Sequence, residues 1–271
     1  MKFKCLQAIF VLFICVTCAA AQGIKRVDPL STRSLSLATL VAGTPLAVAT
    51  GFVVESQSKH YLITNWHVVT GCDPATGKIE DANGWVSDQI AVWHHGKTLG
   101  TWHRRSESLF GPNGKPNWIE HPKGQNVDVV ALPLKSIDSD IQLYPLDLSL
   151  ANTDMIPVVA MPISIIGFPF GLSGPGKFPI WKTGHIATDP ELDYDNSPIF
   201  LIDATARPGM SGAMVVLRLT GGYQTKSGSS VLAGSGIATR FLGVYSAQQT
   251  QSEIGKVWRP EVITEILSRT K

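Results

Sequence analysis

Between Ser36 and Ala247 the chain advances in short runs of Val, Ile, Leu and Thr, each cut off by glycine, proline or a polar cluster. Residues 36–56 (SLATLVAGTPLAVATGFVVES), 60–69 (HYLITNWHVV), 89–95 (QIAVWHH), 127–134 (VDVVALPL), 157–170 (PVVAMPISIIGFPF), 199–206 (IFLIDATA), 213–219 (AMVVLRL) and 229–247 (SSVLAGSGIATRFLGVYSA) all follow this plan. Branched side chains suit a pleated, half-buried surface, and the breaks between them are turn chemistry. One segment has helical period: in RPEVITEILSRTK, Pro260 suits a first helical position, and Val262, Ile263, Ile266 and Leu267 share a face. The pattern predicts an all-β protein with a closing C-terminal α-helix, built as two small barrels or one large sandwich. The span 104–126, rich in Gly, Pro and Asn, reads as a surface loop, and DLSLANTDM near 147–155 as the joint between halves of about residues 35–148 and 149–271.

The first residues have a different logic. Lys2 and Lys4 precede an apolar run from Cys5 to Cys18, and Ala19 and Ala21 follow with the spacing of a signal-peptidase site. This predicts an export signal over residues 1–21, with residues 22–34 as an extended N-terminal extension. A membrane anchor competes, but the run is short of the ~20 residues that a bilayer core of ~30 Å requires. A lipid-anchored form at Cys18 is weaker, because Cys15 and Thr17 fit a lipobox poorly. Cleavage lowers the basic count from 23 to 21, against 21 acidic residues, so no charge excess points to nucleic acid or to anionic lipid. Cleavage also leaves Cys72 as the lone thiol. With no Asn-x-Ser/Thr acceptor in the chain, this suits a bacterial periplasm or the medium, with no stable membrane insertion.

Three stretches can supply one chemistry. YLITNWHVV holds His67, QNVDVVALPL holds Asp128, and DATARPGMSGAMVV holds Ser211 between glycines. Amide hydrolysis needs a nucleophile, a base with a pKa near neutrality, and an acid group that orients the base and favours its charged form. Ser211, His67 and Asp128 fill those roles. Gly209, free of a Cβ, can turn successive N–H groups into one concavity, which assigns the oxyanion donors to the amides of Gly209 and Ser211.

These blocks resemble those of trypsin-like serine peptidases, closest to the bacterial HtrA/Deg-like branch. The order His, Asp, Ser agrees, and the similarity runs from about Thr50 to Ala247, supported by IIGFPFGL and by FLGVYSA. The resemblance implies two antiparallel β-barrels, an exported serine endopeptidase acting on polypeptides, and no cofactor or metal. It also places Thr205 at the floor of the primary pocket and Ser246 where backbone groups pair with bound peptide. An uncharged floor predicts a small or apolar residue before the cleaved bond. Met210 stands where trypsins carry an aspartate, and Met210 and Ala213 replace the branch's Asn and Gly. Only about two dozen residues follow Ala247, too few for a PDZ domain.

Rival residues are weaker. Ser173 and Ser235 are glycine-flanked but lack partners in the right order, and Asp88, before QIAVW, reads as the end of a loop. Asp203 is expected to have a structural hydrogen-bonding role. His94, His95, His103 and His121 lack metal-ligand spacing and read as loop and strand-surface residues. GLSGPGKF has the glycines of a phosphate loop, but Phe178 replaces the required hydroxyl and Pro179 opposes a helix. PGMSGA lacks the second glycine of a G-x-S-x-G elbow. A catalytically inactive fold binding peptide along FLGVYSA is the alternative function.

Overall fold

The computed structural model describes residues 26–249 and 253–270. The expected export signal at 1–21 lies outside them. The first half contains β1 (Ser34–Val41), β2 (Thr44–Ser56), β3 (Lys59–Thr64), helix α1 (Trp66–Thr70), β4 (Gln89–Gly96), β5 (Trp102–Ser108), β6 (Ile119–Glu120), β7 (Val130–Pro133) and β8 (Ile141–Gln142). The second contains β9 (Pro162–Gly167), β10 (Ile180–Ile186), β11 (Ile199–Asp203), β12 (Met214–Gln224), β13 (Ser230–Gln249), β14 (Ile254–Trp258) and helix α2 (Glu261–Ser268).

Each half is one antiparallel sheet. The first runs in the order β5-β4-β1-β2-β3-β7-β6, with β8 also on β4; the second closes as β10-β11-β14-β13-β12-β9. Only the second is closed by hydrogen bonds all round, whereas both were expected to be barrels. The first is wound by two tight hairpins, with Val41 opposite Thr44 and Ser56 opposite Lys59. Positive φ at Ala42 (49°) and Gly43 (82°), and at Gln57 (51°) and Ser58 (60°), gives both turns the mirror-image form whose twist matches the strands.

The two sheets share a core. Phe52, Val54, Ile63 and Val129 from the first pack with Ile166, Met214, Val216, Phe241 and Val244 from the second. The Phe52 and Phe241 rings meet edge to face at 5.7 Å. Helix α2 lays Val262, Ile263, Ile266 and Leu267 onto this seam, as its period predicts. A fully buried aliphatic side chain contributes about 1.5–3 kcal/mol, so this face alone anchors the C-terminus.

Three expectations need correction. The described part of the extension expected at 22–34, residues 26–34, does not trail away: Asp28 caps a turn of 3-10 helix at Pro29–Thr32, Leu30 enters the shared core, and Trp181 Nε1 donates to Ser31 Oγ at 2.9 Å. The loop expected at 104–126 begins after β5, and its Leu109 and Trp118 are core residues. Three histidines read as surface groups are buried: His94, His95 and His121. Neighbouring structure covers both faces of β4, so consecutive residues go inside. The His95 ring lies 3.9 Å from that of Trp102 and also touches Tyr144 and Phe178. His121 pairs with Glu265 of α2.

Burial without an acidic partner holds His94 and His95 neutral, each pushed down to about 4 from 6.5; for His94 the nearby Arg105 charge adds to the effect. Because the folded values lie below the unfolded ones, this stability is complete above pH ~6.5 and is lost as the pH falls towards ~4, at about 1.4 kcal/mol per pH unit for each histidine. Thermal melts at pH 7 and pH 5 should therefore show a marked acid loss, and His95→Phe should narrow it. An undiminished gap in that variant would contradict the assignment.

Candidate active site

His67 lies one turn beyond the strand expected to carry it. Strand β3 ends at Thr64, Asn65 is extended (φ −81°, ψ 154°), and His67 sits in the first turn of α1. Gly71 closes that helix at φ 68° and returns its N–H to the His67 carbonyl. Asn65 is fully buried, and its Nδ2 donates to the Asp128 carbonyl at 2.6 Å, tying the start of α1 to the segment before β7.

The Asp128 carboxylate is buried and fully engaged. Oδ1 accepts the His67 backbone N–H at 2.9 Å, and Oδ2 accepts His67 Nδ1–H at 2.8 Å and the Ser246 hydroxyl at 2.5 Å. Bonding both the backbone and the ring fixes the imidazole's orientation and directs Nε2 away from Asp128. Burial lowers the His67 pKa, but the Asp128 charge and hydrogen bond, helped by Glu80 and Asp73, outweigh it and leave it raised above 6.5. Asp88, the rival carboxylate, accepts instead from the Ala42 N–H at 3.3 Å.

Ser211 projects from a turn that only glycine permits. Gly209 (φ 93°) and Gly212 (φ 84°) are left-handed; a Cβ would stand 2.4 Å from the Phe168 carbonyl oxygen at the first and 2.2 Å from that of Thr50 at the second. The Pro208 carbonyl accepts the Phe170 N–H, so the trans peptide directs the Gly209 N–H the opposite way. Among the described residues the amides of Gly209 and Ser211 donate no hydrogen bond. Two free amides flanking a serine are suited to a developing oxyanion. The Ser211 hydroxyl donates to the Ser246 carbonyl at 3.3 Å, and His67 Nε2 has no hydrogen bond among the described residues.

Thr50 of β2 joins the halves at this turn. Its hydroxyl donates to the Gly209 carbonyl at 2.7 Å and accepts the Phe168 N–H at 3.0 Å, while its own N–H donates to the Ser211 carbonyl at 2.9 Å. Ser246 joins them from the other side, contacting Asp128 through its hydroxyl and Ser211 through its carbonyl. An open cleft of about 470 Å³ lies between, lined by His67, Asp128 and Ser211. Ala206, Pro208, Tyr245, Ser246 and Lys256 share its lining. Thr205 is not in that lining; it is half-buried and hydrogen-bonds Glu253 at 3.1 Å. Met210 is buried inside the closed barrel, and Asp203 is exposed on β11. Cys72 is half-buried near the Thr70 carbonyl.

The sequence model of the trypsin-like peptidase domain matches residues 49–221. The chain belongs to that family. It is a serine endopeptidase, and its two antiparallel sheets are the trypsin-like fold. No curated protein is a significant sequence match. Among solved structures, a thermostable serine protease AL20 from an extremophilic microorganism superposes with a TM-score of 0.51 at 12% identity, covering 90% of this chain and 100% of its own. The active form of the Rv3671c protease from M. tuberculosis gives 0.48 at 16% identity over 88% of this chain and 80% of its own. The serine endoprotease from Yersinia pestis gives 0.47 at 13% over 90% and 66%.

The sequence blocks pointed to His67, Asp128 and Ser211, but not to Thr50 or Asn65 as their supports. Thr50→Val, nearly equal in volume, leaves the Phe168 amide and the Gly209 carbonyl without their hydroxyl partner. It should lower stability by about 1–3 kcal/mol in urea denaturation, with Thr50→Ser recovering most of the loss.

Proposed function

We propose that this peptidase cleaves polypeptides through an acyl-enzyme, with Ser211 as nucleophile, His67 as base and then acid, and Asp128 as the group that orients His67. The observation that carries this is the pair of bonds from Asp128 to the His67 backbone and ring beside a serine flanked by two free amides. Ser211 Oγ leaves the Ser246 carbonyl, gives its proton to His67 Nε2 and attacks the scissile carbonyl. The amides of Gly209 and Ser211 hold the oxyanion, and the imidazolium, stabilised by Asp128, then protonates the leaving amine. Water repeats the sequence to release the acyl group. No step calls on a cofactor.

One observation favours a second reading, an inactive fold that binds peptide beside Ser246, where the pairing of β13 with β14 is interrupted: the Ser211 hydroxyl is engaged by Ser246 and not by His67. Fluorophosphonate labelling separates the two. Wild-type protein should be labelled at Ser211 and should hydrolyse peptides, and Ser211→Ala should lose both; folded wild-type protein that resists the reagent would support the binding module. Asp128→Asn should lower kcat by about 10³–10⁴-fold.

The raised His67 pKa sets the pH profile. The base must be neutral, so kcat/KM should rise with pH along a limb whose midpoint lies above 6.5, and activity should be lost on the acid side. A midpoint at or below 6.5 would contradict the electrostatic account.

The same reading takes residues 1–21 as an export signal, so the protein works in a bacterial periplasm or in the medium. Mature protein from an envelope or medium fraction should begin at Gln22. A retained Met1 would count against export. The expected preference for small or apolar residues rested on an uncharged pocket floor at Thr205. Thr205 lies outside the lining of the cleft and Lys256 lies within it, so that premise no longer describes the pocket.

A further inference from the structure

The cleft walls differ in charge. On the first-half wall, Asp73 and Glu80 stand in the loop after α1, close enough to His67 to help raise its pKa. On the other wall Arg207 and Lys256 line the space beside Ser211. Arg207 is engaged: its guanidinium lies 3.8 Å from Glu253 and donates to the Ala206 carbonyl at 3.2 Å. Glu253 in turn holds the Thr205 hydroxyl.

Lys256 is different. Its strand, β14, closes the second barrel between β11 and β13. Val257 is buried in that barrel's interior, and a Cβ on Gly255 would press against Tyr245 and Ile202, which also lie inside. Alternation along a strand therefore turns Lys256 outward, into the cleft. The side chain is half-buried and makes no ion pair or hydrogen bond among the described residues. Every Asp and Glu of the chain is among those residues, so no acidic side chain elsewhere is left to neutralise it. A half-buried ammonium that pairs with none of the described carboxylates, in a cleft whose own acidic groups Asp73, Glu80 and Asp128 come from the first half, is a site for a carboxylate brought by a ligand.

The chemistry at Ser211 says which part of a substrate meets it. In the mechanism proposed above, on which this inference rests, the leaving amine takes its proton from His67 and so departs along the wall of Asp73 and Glu80. The acyl portion stays with Ser211 and the amides of Gly209 and Ser211, on the wall of Tyr245, Ser246 and Lys256. We propose that Lys256 makes this enzyme selective for an acidic residue, Glu or Asp, supplying the carbonyl of the cleaved bond. Asp73 and Glu80 oppose the reverse placement, with the acidic residue after the cut.

Peptides differing only in Glu or Gln at the residue before the cleaved bond test this, because the two side chains are nearly equal in size and differ in charge. For wild-type protein, kcat/KM should favour Glu by about 10–100-fold, and the ratio should shrink with added salt. Lys256→Met should bring the ratio close to one, and Lys256→Glu should shift preference to Lys over Glu. A wild-type ratio at or below one in protein whose Ser211 is labelled by a fluorophosphonate would overturn the role of Lys256 and leave the peptidase mechanism standing. So would a ratio unchanged in Lys256→Met. Folded wild-type protein that neither reacts with the reagent nor cleaves any peptide would overturn the mechanism and this inference with it.

Discussion

Thr50 is where the two halves become one site. A single buried side chain, with its own amide, reaches the Gly209 carbonyl, the Phe168 amide and the Ser211 carbonyl. All three belong to the second half, and Thr50 belongs to the first. Its carbonyl also accepts the Thr64 hydroxyl at 2.9 Å, one residue before Asn65 and three before His67. The nucleophile's turn and the strand that leads to the histidine are thus positioned against the same residue. Since Asn65 and Asp128 fix His67 from within the first half, the gap between imidazole and serine depends on this seam.

The seam is polar at the site and apolar behind it. Phe52 against Phe241 and the four-residue face of α2 exclude water from the interior, where an unmet amide or carbonyl would be costly. Near the serine the rule relaxes selectively: neighbouring carbonyls and amides are paired, while among the described residues the amides of Gly209 and Ser211 donate no hydrogen bond, in a turn whose Pro208 and Ser211 line an open cleft. Donors without a protein partner are useful at such a turn because a reacting oxygen can take them up without rearranging the protein.

Legibility followed the range over which each feature is determined. Ser211 and its glycines are local: the backbone angles of the turn demand Gly209 and Gly212, so the fourteen letters of DATARPGMSGAMVV carried the signal. The α2 face was equally plain, because its period is contained in one helix. Strands β5, β10 and β14 were not read, since WHRRSES, IWKTGHI and IGKVW mix charge, glycine and apolar residues, and become strands through their partners. His94 and His95 were misplaced for a related reason: residue type argued for a surface, whereas the cover over both faces of β4 comes from distant segments. Thr50 and Lys256 carry no local mark. Their importance arises from register, which sets Thr50 opposite the nucleophile's turn and turns Lys256 out of the barrel.

Charge placement links the catalytic base to the cleft's polarity. Asp73 and Glu80 favour the protonated form of His67, which is the form that must exist while the tetrahedral intermediate persists and the leaving amine awaits its proton. The same negative wall would be a liability if it also faced the acyl side, because it would repel an acidic substrate residue and compete for Lys256. Placing Asp73 and Glu80 on a loop of the first half, and Lys256 on the last strand of the second, separates these demands by chain and by sheet. The division works only while the halves keep their mutual position. Loosening the seam would separate the base from the nucleophile and the acidic pair from Lys256 on the opposite wall, even with every strand intact.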